Sequence, residues 1–429
     1  MFFKKKDKGA APAKAEAPAK AAVAEPRREE TRRQEPARQA QPAAPPVKVG
    51  AGAAIDAALT KARAPKGAPA SFESVAAQTA AADVLASSSD PADRAAARDI
   101  AAGEIERGFS GLYTAADADL AGGAARWRTL GALSFAIDTT RSQDAYLSAF
   151  KSPARQFWDC IWLARLRGFN GKLLEAAQTV EVAGTLASTD SERAVAHCEF
   201  GQILYAGSEM EKALQHAESA VALAGQAATP DQQHRAITRF ILLGDVALAL
   251  NQPDKARKAM ADALGVARKL GAAAPKDATL ALGICEILEK NATAAAAAND
   301  NAAASVVIEE AIGLRRRVGS ALSHGDVDRG LARALSIKGE VLRAAGNGAG
   351  ALAAFEESLA LVRKIGAARP RDLSAQRDLW RTMWHIASFQ DSNVDWGQVV
   401  GAMEKMLAVG ALDKEGLRYL EEGRRRRAP

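Results

Sequence analysis

The segment from Leu331 to Asp372 carries a spaced pattern of small and apolar residues that recurs along the chain. Within it, relative positions 4, 8, 11, 20, 24 and 27 are occupied by Leu335, Gly339, Leu342, Ala351, Phe355 and Ser358. Residues 354–363 echo residues 307–316 at a shift of 47, and residues 366–372 echo residues 271–277 at a shift of 95. Recurrence at such intervals is typical of stacked helical units and predicts a repeat scaffold.

The spacing resembles that of the tetratricopeptide (TPR) repeat, in which a small residue at position 8 lets helix A pack closely on helix B and another at position 20 receives it. The resemblance covers residues 125–410, as seven helical pairs. Spacings of 47–48 and the Gly-Ala-Ala-x-Pro-x-Asp connector are similar to those of large bacterial TPR arrays of signalling type. The resemblance implies an all-α fold, a right-handed α-solenoid of helical hairpins.

The composition favours closely packed helices, because 48% of the residues are hydrophobic and only 5% are aromatic. Of the 57 basic and 51 acidic residues, 12 and 6 lie in residues 1–50, so the net charge of +6 belongs to that segment. The neutral remainder gives no reason to expect a nucleic-acid partner. Three isolated cysteines and a start without a secretory signal predict a cytoplasmic protein.

Composition shifts divide the chain into five parts. Residues 1–70, rich in Ala, Pro, Lys and Arg, should form a disordered tail, with a sequence compatible with a short helix at 53–64. Residues 71–120 should form a helical lead-in with helices at 71–85 and 91–107, and residues 121–376 the repeats. Residues 377–420 should form a degenerate last repeat and cap, closed by three tryptophans, and residues 421–429 a basic tail. In the fifth pair, we expect helix A to end near residue 289 and a long connection at 291–301.

Three short motifs suggest chemistry, and each has a structural alternative. Gly346 to Gly350 resembles a phosphate-binding loop but lacks the Gly-Lys-Ser/Thr and the strand, so a turn between helices A and B is favoured. His324, Asp326 and Asp328 could ligate a metal, although a loop with a helix N-cap at Asp328 fits better. His197 and Cys198 are adjacent on a helix and point about 100° apart, too far to act together.

With no catalytic grouping in the sequence, we expect no enzyme activity, no metal site and no cofactor. The resemblance implies a concave groove lined by helix A at positions 2, 5, 9 and 12, where aromatic and Arg side chains favour peptide binding. Some of these residues could instead pack against neighbouring helices. The predicted groove residues are Arg128, Phe135, Trp158, Arg165, Gln202, Tyr205, Asp245, Arg333, Glu340 and Arg343.

The pattern therefore predicts a non-catalytic scaffold or adaptor that binds a peptide or helix of another protein. The alternative is a signalling sensor or regulator that binds a small ligand or peptide and changes the curvature of the array. The oligomeric state is left open by the sequence.

The first residues form a small apolar and basic tip, made of Phe2 and Phe3 followed by Lys4, Lys5 and Lys6. It resembles the short membrane-docking segments of bactofilin cytoskeletal proteins. Each Lys near an anionic surface contributes about 1 kcal/mol, so one copy binds weakly and several copies together bind stably. The alternative is a solvated tail, in which case the protein is cytoplasmic without a peripheral membrane contact.

The tip predicts that the double change Phe2→Glu, Phe3→Glu abolishes binding to anionic liposomes, because it removes the apolar insertion and reverses local charge. Co-sedimentation of the full chain with vesicles containing phosphatidylserine measures this. Equal pelleting of the wild type and the variant would contradict a role for the tip.

Overall fold

The computed structural model describes residues 50–62, 71–119, 123–225, 227–321, 325–370, 372–390 and 392–427, which lie within one compact unit. These residues form 19 α-helices and no strand. The membrane tip and the rest of residues 1–49 lie outside the described residues. The helices are α1 (Ala51–Ala62), α2 (Phe72–Ser87), α3 (Pro91–Ala101), α4 (Ile105–Ala118), α5 (Gly123–Ser134), α6 (Thr139–Lys151), α7 (Phe157–Phe169), α8 (Leu173–Leu186), α9 (Asp190–Ala206), α10 (Met210–Ala222), α11 (Pro230–Ala249), α12 (Pro253–Ala273), α13 (Ala278–Ala297), α14 (Asn301–Ala321), α15 (Gly325–Ala344), α16 (Gly348–Ala368), α17 (Leu373–Ala387), α18 (Trp396–Ala408) and α19 (Lys414–Arg427).

Helices α5 to α18 pack as seven consecutive hairpins, each made of a helix A and a helix B. Each hairpin also packs on the next, and successive A helices from α7 to α15 contact one another. The A helices therefore line one face of the array, and the predicted TPR-like α-solenoid is confirmed. All six helices from α11 to α16 contain 20 or 21 residues, which accounts for the long repeat spacing.

Small residues hold the two helices of a hairpin together, as the spacing predicted. A Cβ atom at Gly339 would lie 2.6 Å from the ring of Phe355, and one at Gly244 would lie 3.3 Å from the Sδ of Met260. Position 20 of these and neighbouring repeats is alanine with no exposed surface, at Ala213, Ala256 and Ala351. The partner side chain thus occupies the volume that a larger residue at position 8 would need.

The turn between helices A and B is built the same way in five successive hairpins, with one residue in the left-handed region. These residues are Gly171, Ser208, Asn251, Asn299 and Gly346, with φ between 55° and 77°. Gly and Asn adopt this conformation at the lowest cost, which explains their prevalence. The turn predicted at residues 346–350 lies at 345–347, and residues 348–350 form the first turn of α16, with Asn347 as its N-cap.

The fifth hairpin differs from the prediction. Helix α13 continues to Ala297, and the segment expected to be a connection at 291–301 contributes two more helical turns and a short turn at 298–300. Ala292, Ala294 and Ala295 are buried there, so this alanine-rich run combines high helix propensity with a core-facing stripe.

The lead-in also differs in its boundaries. The helix expected at 91–107 is two helices, α3 and α4, separated at Gly103, whose φ of 90° an ordinary residue rarely adopts. Helix α1 lies inside the segment expected to be disordered. It buries Ile55 and Leu59 completely in a core shared with α2 to α6. The sequence-compatible short helix at 53–64 is therefore present, two residues earlier.

The end of the array is covered by aromatic residues, as expected for a terminal repeat. Trp380 is buried, and the rings of Trp384 and Trp396 meet edge to face with centroids 4.8 Å apart. The basic segment expected as a tail is part of α19, and the Arg426 guanidinium lies 4.9 Å from the centroid of the Trp396 ring.

The packing at position 8 generates a stability prediction. Gly339→Ala should lower the free energy of unfolding, because the overpacking against Phe355 costs about 1–3 kcal/mol and outweighs the gain in helix propensity. Gly283 in α13 is the matched control, since nothing lies within 4 Å of the Cβ that it would acquire. Gly283→Ala should stabilise by about 0.5–1 kcal/mol. Urea unfolding of both variants gives the signs, and a stabilising Gly339→Ala would contradict the packing argument.

Candidate binding groove

The N-terminal part of the A-helix face is closed by interactions within the chain. Arg128 on α5 makes a two-pronged ion pair with the buried Asp159, at 2.7 and 3.0 Å. Phe135 is buried with its ring edge to face against Trp162, with centroids 5.3 Å apart. Two of the predicted groove residues therefore join neighbouring helices.

Helix α2 lies against this part of the face. Its Ala77 packs into an apolar cluster that includes Phe135, Trp158 and Trp162, and the helix also contacts α5. The other end of α2 is anchored by Ala82 and Leu85, which are buried in the core of the lead-in helices. A helix from the lead-in thus takes up part of the space that the groove prediction left for a partner, and a depression of about 290 Å³ remains beside Trp158.

Glu73 of α2 locks this arrangement through two arginines from α7 and α11. Its carboxylate oxygens lie 2.7 Å from Arg165 Nη2 and 2.8 Å from Arg235 Nε. Arg165 also donates from Nε to Glu199 at 2.8 Å. The Arg165 guanidinium lies 4.7 Å from the centroid of the Trp162 ring and makes a cation–π interaction with it.

Burial alone would raise the pKa of Glu73, but the guanidiniums of Arg165 and Arg235 outweigh it and hold the pKa below its usual range. The carboxylate is therefore ionised at neutral pH. Removing one member of such a half-buried network leaves a charge unpaired and costs several kcal/mol, about 3–5 in fully buried cases. Arg165, which was predicted to bind a partner, pairs with Glu73 of α2, and Trp158 packs beside Ala77 of the same helix.

The middle of the face is occupied by small ion pairs and polar contacts. Asp245 on α11 accepts from Lys290 on α13 with both oxygens at 2.7 Å. Gln202 lies one turn beyond Cys198, and its side chain is half-buried, whereas Tyr205 is exposed. Burial and the nearby Asp245 carboxylate raise the pKa of the Tyr205 hydroxyl.

The C-terminal part of the face opens into a cavity of about 790 Å³ between α13, α15 and α17. Its walls combine arginines and acids with small and apolar side chains. We call it the C-terminal cavity; its lining residues are Leu282, Glu286, Arg315, Arg329, Gly330, Ala332, Arg333, Ser336, Ile337, Glu340, Ser358, Val362, Asp378, Arg381, Thr382 and His385.

Two predicted groove residues, Arg333 and Glu340, line the C-terminal cavity. Arg343 lines an adjoining depression of about 370 Å³ next to Trp384 and Tyr419. Arg333 donates from Nε to the buried carboxylate of Glu289 at 2.7 Å. The structure therefore separates the predicted residues into an N-terminal group that interacts with neighbouring helices, a middle group, and a C-terminal group that lines the larger cavity.

Several lining residues were missed because the sequence argument considered only four positions of helix A. Arg315 and Ser358 come from B helices, α14 and α16, and reach the cavity between the A helices. Asp378, Arg381 and His385 come from the last, degenerate A helix, for which no groove position was assigned. Arginine at 315 within the buried stripe of α14 is the signal that could have revealed the first of these.

His385 has its ring stacked on Phe355, with centroids 4.8 Å apart and planes within 2° of parallel. Its Nε2 lies 3.3 Å from a carboxylate oxygen of Glu340. Burial and then the charges of Arg343 and Arg381 lower the pKa of His385 to about 4, so the ring is neutral at pH 7. Burial raises the pKa of Glu340.

The other residues considered for catalysis or metal binding do not come together as a second site. His197 Nδ1 lies 3.0 Å from His216 Nδ1, while the Cys198 thiol is buried and burial raises its pKa to about 12. Asp328 lies inside the first turn of α15 and pairs with Lys364 at 3.0 Å, so the expected N-cap role is wrong; His324 lies outside the described residues.

The described residues show neither a metal-binding cluster nor a membrane-spanning helix. They hold no cluster of three or more His, Cys, Asp or Glu placed to bind a metal. None of their helices is long and apolar enough to cross a membrane.

Comparison with known proteins gives structural likenesses at low identity. The chain is similar to a Rap protein solved in complex with Competence and Sporulation Factor, with 12% identity, 82% of this chain and 91% of that chain covered, and a TM-score of 0.48. It is also similar to the C-terminal part of a TPR repeat-containing protein from Cytophaga hutchinsonii, with 16% identity, 67% of this chain and 98% of that chain covered, and a TM-score of 0.42. A third similar structure is BtubC (BKLC) from P. vanneervenii, with 18% identity, 54% of this chain and 90% of that chain covered, and a TM-score of 0.42. No protein-family model and no curated protein matches the chain.

The low pKa of His385 predicts a pH dependence of stability. In the unfolded chain this side chain titrates near its ordinary value of 6.5, whereas in the fold its pKa is about 4. The unfolded chain therefore takes up the proton first. The contribution is fully present above pH 6.5 and is lost as the pH falls toward 4.

His385→Phe should flatten the fall in stability between pH 6.5 and pH 5 by up to about 1.4 kcal/mol per pH unit. Phe keeps the stacking on Phe355 and removes the titrating group. Urea unfolding of the wild type and the variant at several pH values measures the two slopes. The other histidines and Glu340, which acts in the opposite direction, are present in both proteins. Equal slopes would show that His385 does not carry the effect.

Proposed function

We propose that this protein is a non-catalytic interaction scaffold that holds a peptide or helix segment of another protein in the C-terminal cavity. The observation that carries the proposal is the contrast between the two ends of the A-helix face. Helix α2 takes up much of the N-terminal end, where a depression of about 290 Å³ remains, whereas the C-terminal end keeps an open volume of about 790 Å³. A partner can enter the larger volume without displacing any of the described helices.

The walls of the C-terminal cavity suit a segment of polypeptide. Arg329 pairs with Asp378 at 2.6 Å across α15 and α17, and Arg381 pairs with Glu415 at 3.2 Å, so the charged rim is pre-arranged by ion pairs. Between them, Val362 and Ile337 supply apolar surface. Arginines around a partly apolar floor are the composition that protein interfaces favour at their energetic centres.

The cavity volume also supports the alternative function of a sensor that binds a small ligand, since pockets for such ligands span about 300–1,000 Å³. In that case, binding between α13, α15 and α17 would change the angle between successive hairpins and thus the curvature of the array. The basic N-terminal tip would then hold the sensor at a membrane surface. The two functions differ in whether a macromolecular partner is retained by the cavity.

A cavity-filling substitution distinguishes the cavity from the outer surface. Ser336 lines the cavity on α15, and Ser336→Tyr should reduce partner retention by at least about tenfold, because the added ring occupies the space of the ligand. Ala353→Tyr on the exposed face of α16 is the matched control and should retain the partner. Pull-down from native lysate with the full chain, followed by mass spectrometry, gives the retained amounts.

A third variant assigns the role of the N-terminal end. Trp158→Ala should keep the partner, since Trp158 packs with Ala77 of α2 and does not line the C-terminal cavity. Loss of the partner with Trp158→Ala and retention with Ser336→Tyr would move the binding site to the N-terminal end and overturn the proposal. Circular dichroism of every variant checks that the helices remain folded.

A further inference from the structure

Two histidine rings face each other on the third hairpin, where helix A is α9 and helix B is α10. His197 Nδ1 on α9 lies 3.0 Å from His216 Nδ1 on α10. The ring centroids are 5.0 Å apart, so each Nδ1 lies on the side of its ring that faces the other ring. The lone pairs of the two nitrogens can therefore converge on one point between the helices.

The packing of the hairpin holds the rings in this arrangement. Gly201, the small residue at position 8 of this repeat, lets α10 approach α9, and a Cβ atom there would lie 3.4 Å from His216 Cβ. The His216 ring stacks on Phe200, with centroids 4.7 Å apart and planes 25° apart. Side chains that are held by packing are preorganised, so a ligand bound by both rings costs little side-chain entropy.

The histidine pair lies beside an open cavity of about 340 Å³. Both rings form part of its wall, together with residues of α8, and both side chains are half-buried. The charged residues of the described wall are Glu181 and Arg193. Arg193 pairs with Asp190 at 2.6 Å, which offsets its positive charge, whereas Glu181 is exposed and adds a negative charge. A cation can therefore approach the pair from the cavity.

Both rings are neutral at pH 7, as metal-binding imidazoles must be. Burial lowers the pKa of His197, and burial followed by the nearby His197 ring lowers the pKa of His216. In the hydrogen bond between them, one ring donates its Nδ1–H and the other accepts. A metal ion needs both Nδ1 lone pairs, so on binding that proton moves to Nε2 of the same ring, with no net release.

The distance between the two nitrogens indicates the kind of ion. Nitrogen ligands lie about 2.0–2.1 Å from an ion such as Zn²⁺, so nitrogens 3.0 Å apart subtend an angle of about 90–95° at the ion. That angle is typical of neighbouring ligands in the square-planar and tetragonal sites of Cu²⁺ and Ni²⁺. A tetrahedral Zn²⁺ site would need a separation of about 3.3 Å. Imidazole suits all three ions, and Cu²⁺ binds most tightly among them.

We propose that His197 and His216 bind a late divalent transition-metal ion, with Cu²⁺ preferred, through their two Nδ1 atoms and with water from the cavity in its other positions. The pair supplies two protein ligands, which is fewer than the groups of three that the described residues lack. An ion there joins helix A to helix B, and it stabilises the fold because only the folded chain brings the two nitrogens together. The lining residues of the C-terminal cavity include neither histidine, so the site is independent of the scaffold function.

Titration of the full chain with Cu²⁺ alone tests the inference. Isothermal titration calorimetry at neutral pH should give one tightly bound ion per chain. Electron paramagnetic resonance of that complex should show hyperfine coupling to two nitrogens, since both imidazoles ligate the same ion. The same titration with Ni²⁺ and with Zn²⁺ should give weaker binding than with Cu²⁺.

The variants locate the ion on the histidine pair. His216→Phe keeps the stacking on Phe200 and removes one ligand. It should weaken Cu²⁺ binding by at least about tenfold, because a second ring no longer acts at high effective concentration. His197→Gln should have a similar effect. The matched control is His234 on α11, which is also half-buried and whose pKa is also lowered by burial. His234→Gln should keep the wild-type affinity.

Three results would overturn the inference: equal affinity of the wild type and His216→Phe, absence of saturable binding, and a wild-type resonance spectrum without coupling to two nitrogens. Tighter binding of Zn²⁺ than of Cu²⁺ would contradict the geometry that follows from the 3.0 Å separation. Circular dichroism checks that each variant is folded, and the wild-type resonance spectrum decides if one is not. The pull-down with Ser336→Tyr is unaffected by these results, so the scaffold function stands or fails separately.

Discussion

Helices A and B approach each other closely in the hairpins, and this approach shapes the face that the A helices form. Gly339 lies against the ring of Phe355, and Gly244 lies against Met260. In each of these hairpins, helix A therefore packs directly on one large side chain of helix B. Because the hairpins are this tight, the face formed by the A helices is continuous and can be lined by side chains from both helices of a pair. The groove, and the reach of Arg315 into it, follow from that spacing.

The two ends of the A-helix face use similar residues for different purposes. At the N-terminal end, aromatic rings and arginines are covered by α2, and the Glu73 carboxylate completes the charge balance. Helix α2 cannot leave easily, because Leu85 is buried in the lead-in core. The residues at that end therefore stabilise the fold by holding α2 in place. At the C-terminal end no helix of the described chain plays the role of α2, and the same kind of surface stays open.

The periodic part of the structure could be predicted from the sequence, and the departures from periodicity could not. The repeat spacing indicated seven hairpins, the turn at Gly346 and the small residues at position 8, since each depends on neighbours within one repeat. The pairing of Glu73 with Arg235 joins residues 162 positions apart, and no local pattern encodes it. The extension of α13 through Ala297 was missed for another reason: its alanine-rich run was interpreted as a loop, although alanine is the strongest helix former.

Two arginines that pair with a buried glutamate differ in how completely their guanidinium groups are hydrogen-bonded. Arg165 and Arg315 are both largely buried and both pair with a buried glutamate. Arg165 receives a second carboxylate from α2, and none of its buried side-chain nitrogens is left without a hydrogen bond. Arg315 has no such second acid within the described residues, although it is more deeply buried, at 3% exposed against 19% for Arg165. The fold therefore completes the charge balance around Arg165 with its own Glu73 and leaves the Arg315 guanidinium only the Glu289 carboxylate, which it shares with Arg333.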